Sequence, residues 1–271
     1  MDSLRSLSRD SKLPRLEWQM LWQHVLQVPR AWLIAHDTDP LAPEAMARFS
    51  DLQARRLAGV PMAYLLARRE FMGHDFEVSP AVLIPRPETE LLVETGLDYL
   101  KGRAAPRVLD LGTGSGAIAV SIALACPAAT VLATDLDPDA LAVAQANARR
   151  LGARVEFLRG NWYHALSGHK GFDLIVSNPP YIAAGDFHLQ EGDVRFEPIA
   201  ALTDGSDGLT ALRAIIHGAG PWLAPQGALL VEHGWDQAQA VRQLFQQACF
   251  KELASLPDLA GIDRVTGGIY N

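Results

Sequence analysis

From Arg107 to its end, this 271-residue chain alternates short apolar runs with segments of helical periodicity, and that alternation limits the possible folds more than any other feature. Residues 107–111, 131–135, 155–158, 172–177 and 228–232 read as strands, carrying almost continuous apolar side chains as strands buried on both faces do. Helical segments are expected at 118–125, 139–151, about 209–219 and about 237–248, and two more strands at 250–256 and 264–270. Parallel strands need long crossovers, so helices between successive strands imply a mostly parallel sheet covered on both faces. The last two strands are close in sequence and are expected to be antiparallel. The fold class is α/β: one seven-stranded, mostly parallel, Rossmann-like sheet.

The front of the chain differs. Residues 1 to about 70 show no strand-like alternation. Leu16, Met20, Trp22, Val25 and Leu26 recur at roughly helical spacing, as do Met46, Phe49, Leu52 and Leu57. Pro29, Pro40 and Pro43 break the pattern between helices. This predicts a small helical domain at 1–70, with Trp18, Trp22 and Trp32 as packing residues. Residues 71–84, with Phe71, Phe76, Val78 and Val82 apolar, are expected to form a β-hairpin linker to a larger domain at 85–271. Pro87, followed by Glu88 and Glu90, suits the first turn of a helix running to about Leu100.

With 24 Lys+Arg against 31 Asp+Glu, the net charge of −7 argues against a non-specific nucleic-acid binder, which needs a basic footprint. Cys126 and Cys249 form neither a disulfide framework nor a metal cluster, and no metal is expected. Met1-Asp2-Ser3-Leu4-Arg5 leads into no signal-type apolar block, and the longest apolar run, near 117–126, is too short to cross a bilayer. The expectation is a cytoplasmic protein, monomeric, with no membrane association.

Open α/β sheets bind ligands at the carboxyl ends of their strands. Asp110-Leu111-Gly112-Thr113-Gly114-Ser115-Gly116 stands at the first such end. Glycines at alternate positions let backbone approach a ligand closely. The third glycine of the dinucleotide fingerprint would fall at Ala117, so the loop departs from that pattern without excluding it. Asp135 ends the second strand and can accept from both hydroxyls of a ribose, with Asp137 an alternative. Asn161 can read the polar edge of a purine and Trp162 cover its face. Together these parts suit S-adenosylmethionine, and no lysine-bearing phosphate cradle accompanies them.

The fourth strand runs into Ser177-Asn178-Pro179-Pro180-Tyr181. Two prolines stop a strand, so the chain turns there. The Asn178 side-chain oxygen and the Pro179 carbonyl are both acceptors and can take the two hydrogens of one flat NH2 group. Tyr181 can lie against the plane that carries it. Two such acceptors favour the nitrogen as it gains positive charge, which stabilises a transition state.

These motifs make the chain similar to a known family, the N5-glutamine methyltransferases of peptide chain release factors. The resemblance runs through residues 61–76, Ile84-Pro85-Arg86-Pro87-Glu88-Thr89-Glu90, the glycine loop, the Asn178 turn, residues 195–198, Glu232-His233-Gly234 and Asp263-Arg264-Val265, about three quarters of the chain. It implies a class I S-adenosylmethionine-dependent methyltransferase fold. It implies as substrate the glutamine of the Gly-Gly-Gln motif in class I release factors. By resemblance, Gly112, Thr113, Gly114, Ser115, Gly116, Asp135 and Trp162 bind the cofactor, with Arg86, Pro87 and Thr89 near its methionine end. Asn178, which faces both ligands, and Pro179, Pro180 and Tyr181 hold the glutamine, Asn178, Pro179 and Tyr181 being catalytic. Glu197 and Pro198 border the substrate peptide, although Glu197 alone reads equally as a solvated loop acid. Two residues depart from the family pattern. Asn161 stands where an acid is frequent, and Ala67 where a glycine is common.

The expected chemistry is direct in-line methyl transfer with no covalent enzyme intermediate. No general base is evident, and His164, His188 and His233 read as structural. Three alternatives stay open: a DNA amino-group (adenine N6) methyltransferase using the same turn on an extruded base, a glutamine methyltransferase of a ribosomal protein, and a non-catalytic adaptor.

Overall fold

The computed structural model describes residues 3–8 and 11–271. Met1, Asp2, Arg9 and Asp10, and the expectations that fall on them, lie outside the described residues.

Backbone contacts divide the chain into two units, one of residues 1–68 with 192–196, the other of 69–191 with 197–271. The first unit contains α1 (Leu4–Leu7), α2 (Arg15–Leu26), α3 (Arg30–Ala35), α4 (Pro43–Leu57) and α5 (Met62–Leu66). Its core is aromatic. Trp22 and Phe49 stack with centroids 4.2 Å apart, and Trp18 meets both edge-on. Trp32 is half-buried and stacks on His36 instead. Leu16 and Leu57, counted in the apolar stripe, are 62% and 50% exposed: a spacing read along α2 and α4 does not say which flank of the stripe the neighbours cover. Arg56 makes a two-pronged ion pair with Glu17 at 2.8 and 2.9 Å and also reaches Asp193.

The hairpin starts three residues earlier than its pattern suggests, as β1 (Arg68–Phe71) and β2 (His74–Glu77). Its turn is Met72-Gly73, with φ of 51° and 75°. Both central residues are left-handed, the condition for a tight hairpin whose twist matches its strands. Methionine is no turn signal, which hid the boundary. Phe71 and Phe76 are buried in the core of the larger unit with Leu92, Val108 and Leu174.

The rest of the second unit runs through α6 (Glu90–Leu100), β3 (Arg107–Leu111), α7 (Ala117–Ala125), β4 (Thr130–Asp135), α8 (Pro138–Leu151), β5 (Val155–Arg159), β6 (Phe172–Ser177), α9 (Ile199–Leu202), α10 (Thr210–Gly218), β7 (Leu223–Glu232), α11 (Ala238–Gln247), β8 (Lys251–Pro257) and β9 (Asp263–Tyr270). A single 3-10 turn at Pro87–Thr89 precedes α6. The sheet order is β5-β4-β3-β6-β7-β9-β8. All neighbours are parallel except β9, which is antiparallel to both β7 and β8. β7 begins five residues before the expected 228, in a half-exposed stretch with Pro225 and Gln226 whose register shifts against β6, so no apolar run marks it. Two apolar clusters cover the sheet, one around Val108, Val120 and Leu174, the other around Leu109, Ile175 and Phe245. The chain leaves β3 toward β4 and β5, then returns to the other side of β3 at β6. That reversal opens a crevice at the carboxyl ends of β3, β4 and β6. Among the described residues no helix is long and apolar enough to cross a membrane.

Candidate active site

A cavity of about 530 Å³ lies at that crevice, within the size range of small-molecule sites. Its first wall is the glycine loop. The Gly112 and Thr113 amides both donate to the Thr134 carbonyl at 2.9 Å, and the Gly114 amide donates to Asp135 at 2.8 Å. Gly112 has φ of +73°, and a Cβ there would sit 3.2 Å from the Trp162 ring, so the indole lies directly over this glycine. Gly116 stands behind the wall. It precedes α7 with φ of +81°, and a Cβ on it would meet Ala144 of α8 at 3.1 Å. Asn147 of α8, fully buried, donates to the Ser115 carbonyl and to the Glu77 carbonyl, tying loop to hairpin. Asp110 is buried beneath the loop, accepts from the Thr113 hydroxyl at 2.6 Å, and is pushed up to about 7 by its desolvation.

Asp135, at the end of β4, lines the cavity. Its two oxygens also accept from the Gly114 and Asp137 amides, and burial raises its pKa. Asp137, the alternative ribose acid, is spent on capping α8 through the Asp139 amide, although it too lines the cavity. Trp162 reaches the wall by a left-handed backbone, φ +48°, uncommon for a bulky residue and a strain that tends to collect at functional sites. Asn161 beside it is exposed and lines the same cavity.

The opposite wall is the turn after β6. Asn178 donates from Nδ2 to the Thr89 hydroxyl oxygen at 3.1 Å. That bond holds the amide by its nitrogen and leaves Oδ1 without a hydrogen-bond partner among the described residues, on a side chain that lines the cavity. The Pro179 carbonyl has no hydrogen-bond partner among the described residues. Pro180 lines the cavity, whereas Pro179 is buried and Tyr181 stands behind the wall. The Tyr181 ring packs against the Leu109 cluster, its hydroxyl donates to Glu232 at 3.1 Å, and burial raises its pKa. Gln237, the N-cap residue of α11, pins the turn by donating to the Tyr181 carbonyl at 3.0 Å.

Glu197 is neither a solvated loop acid nor a group facing out to a peptide. Its side chain is completely buried, accepts from the Ile84 amide at 2.9 Å and pairs with Arg86. Pro198, next to it, does line the cavity. Arg86 is the only cation among the described lining residues, and Glu197 neutralises it. Among the described residues no histidine lines the cavity: His233 is buried between Gly234 and Thr266, His188 is paired with Asp186 in an exposed loop, and His164 is exposed. Asn147, Gln237 and Glu232 went unassigned from sequence, because the partners that give them their roles lie 29 to 143 residues away.

Two family models match the chain, a methyltransferase small domain over residues 87–193 and a PrmC N-terminal domain over 4–66. A release factor glutamine methyltransferase of Bordetella pertussis is 63% identical over 268 residues, 99% of each chain. The chain belongs to the release factor glutamine methyltransferase family. Relatives of the same name from Burkholderia pseudomallei and Salmonella typhimurium are 53% and 46% identical, each covering 97% of this chain and 94% of the relative. Among solved structures, the hMettl16 catalytic domain in complex with MAT2A 3'UTR hairpin 6 aligns with a TM-score of 0.59 at 16% identity, covering 82% of both chains. A methyltransferase from Pyrococcus furiosus aligns at 0.54 and 19% identity, covering 82% of this chain and 98% of its own. The sheet of this release factor glutamine methyltransferase family member has the class I S-adenosylmethionine-dependent methyltransferase fold.

Proposed function

We propose that this chain transfers a methyl group from S-adenosylmethionine to the side-chain amide nitrogen of the glutamine in the Gly-Gly-Gln motif of class I release factors. The observation that carries this reading is Asn178. Its amide is anchored by nitrogen, its oxygen is left as an acceptor, and it shares a cavity with the glycine loop.

The lining residues suit the cofactor. Two acids and one neutralised arginine favour a cationic ligand over a pyrophosphate. Gly112, Thr113, Gly114 and Ser115 would carry its amino-acid end, Asp135 its ribose, and Asn161 with Trp162 its adenine, with Gly116 setting the helix behind the loop. Arg86 and Thr89 lie toward the methionine end. When bound, S-adenosylmethionine supplies an electrophilic methyl carbon on a sulfonium centre.

A carboxamide nitrogen is a poor nucleophile because its lone pair is delocalised into the carbonyl. Asn178 Oδ1 and the Pro179 carbonyl take its two hydrogens, hold the nitrogen in line, and favour it as charge develops. Pro180 borders the amide plane, and Tyr181 supports the turn from behind. With no histidine on the wall, the proton leaves after transfer, from an N-methylated amide that is strongly acidic while protonated. Glu197 serves the substrate side indirectly, by fixing residues 84–86. The helical domain recognises the release factor, and the enzyme works as a cytoplasmic monomer without nucleic acid.

Incubation with labelled cofactor and whole release factor, followed by mapping of the modified residue, tests this. Label on the Gly-Gly-Gln glutamine is expected. Label on duplex DNA or a ribosomal protein, with none on the release factor, would overturn it.

A further inference from the structure

Glu232 ends β7, one strand over from the Asn178 turn, and takes no part in the scheme above. It is 1% exposed. The Tyr181 hydroxyl donates to its Oε1 at 3.1 Å, while Oε2 has no partner at hydrogen-bond distance among the described residues. The Thr89 hydroxyl lies against the same carboxylate and favours its charged form. Thr89 Oγ1 is also the acceptor for Asn178 Nδ2. Hydrogen bonds thus join Asn178 to Thr89 and Tyr181 to Glu232, and the Thr89 hydroxyl faces the carboxylate between them.

The direction of these bonds depends on one proton. An ionised carboxylate only accepts. Both hydroxyl hydrogens then turn toward Glu232, and Thr89 offers a lone pair to Asn178. The asparagine must present its NH2 to Thr89 and its oxygen to the cavity. A protonated or amidated Glu232 can donate to Thr89 instead. The Thr89 hydrogen is then free to turn toward Asn178, whose amide flips and aims NH2 at the substrate. Two NH2 groups facing each other cannot hydrogen-bond.

We propose that Glu232 is a positioning residue: its carboxylate sets the polarity of the Thr89–Asn178 hydrogen bond and so makes Asn178 an acceptor toward the substrate amide. This rests on the reading of the site given above. Other groups face the carboxylate as well. Arg264 from β9 favours its charge and Glu88 before α6 opposes it, while burial pushes it up to about 7. The acceptor state is therefore filled above neutrality and emptied below it.

The test is Glu232→Gln, which keeps the volume and supplies a donor. It should bind S-adenosylmethionine as the wild type does, measured by calorimetry, and lose kcat by about 100-fold with little change in KM for the release factor. The wild-type kcat should fall about tenfold per pH unit below pH ~7. In E232Q that acid limb should vanish. Thr89→Val, which keeps the shape and removes the hydroxyl, should lose kcat as E232Q does. The side-chain NH2 resonances of Asn178 in isotope-labelled enzyme, assigned through Asn178→Asp, should titrate near pH 7 in the wild type and not in E232Q, with no turnover needed. An E232Q enzyme within about threefold of wild-type kcat, or an acid limb that persists in it and so belongs to Asp110, overturns the role of Glu232. A wild type whose Asn178 resonances titrate as expected but which methylates no release factor overturns the substrate reading instead and leaves the polarity mechanism standing.

Discussion

The glycine loop after β3 and the Asn-Pro-Pro-Tyr turn after β6 end neighbouring strands, yet they are held in different ways. The loop is fixed mostly by its own backbone: three of its amides bond to the end of β4, and its glycines sit at φ values that other residues resist. The turn is fixed by side chains from elsewhere in the chain, Thr89 on Asn178, Glu232 on Tyr181 and Gln237 on the Tyr181 carbonyl. A backbone-built wall gives shape and tolerates side-chain change around it. A side-chain-built wall gives chemistry, and its orientation depends on those distant partners.

That contrast predicts separable losses. Asn178→Ala should lower kcat by about 100- to 1000-fold while cofactor affinity, read by calorimetry, stays near wild type. If affinity fell equally, the two walls would not divide the work. Arg86→Ala leaves the buried Glu197 carboxylate without its partner and should lower the free energy of urea unfolding by about 3 kcal/mol. An unchanged midpoint would mean that the segment before α6 does not depend on this pair. Gly112→Ala strains a left-handed position by about 1–2 kcal/mol and presses on Trp162. It should weaken cofactor binding roughly tenfold, with kcat at saturating cofactor nearly unchanged, the reverse of Asn178→Ala. Tyr181→Phe removes one hydrogen bond to Glu232 worth about 1 kcal/mol and should cost kcat only about fivefold. A loss as large as that of Asn178→Ala would make the hydroxyl part of the chemistry rather than of the support.

Much of the architecture was legible from local pattern. Two prolines after an apolar run can only end a strand, and alternating strands and helices leave few topologies, so β3, β4, β6 and the crevice at their ends followed from short stretches of chain. The glycine loop was legible for the same reason, since φ restrictions act residue by residue. The misread places share a different cause. Met72 occupies a left-handed turn position that its side chain does not advertise. The start of β7 is half-exposed and shifts register.

The order of motifs along this chain determined the family, the sheet, and which two loops meet at its edge, because backbone sterics and hydrophobic period are written into neighbouring residues. Only the tertiary structure decided that Glu197 is buried against Arg86 rather than offered to a peptide, and that Asn178 is held by Thr89 beside the buried Glu232. These are contacts between side chains 51 to 143 positions apart, and what a buried carboxylate does depends on what encloses it.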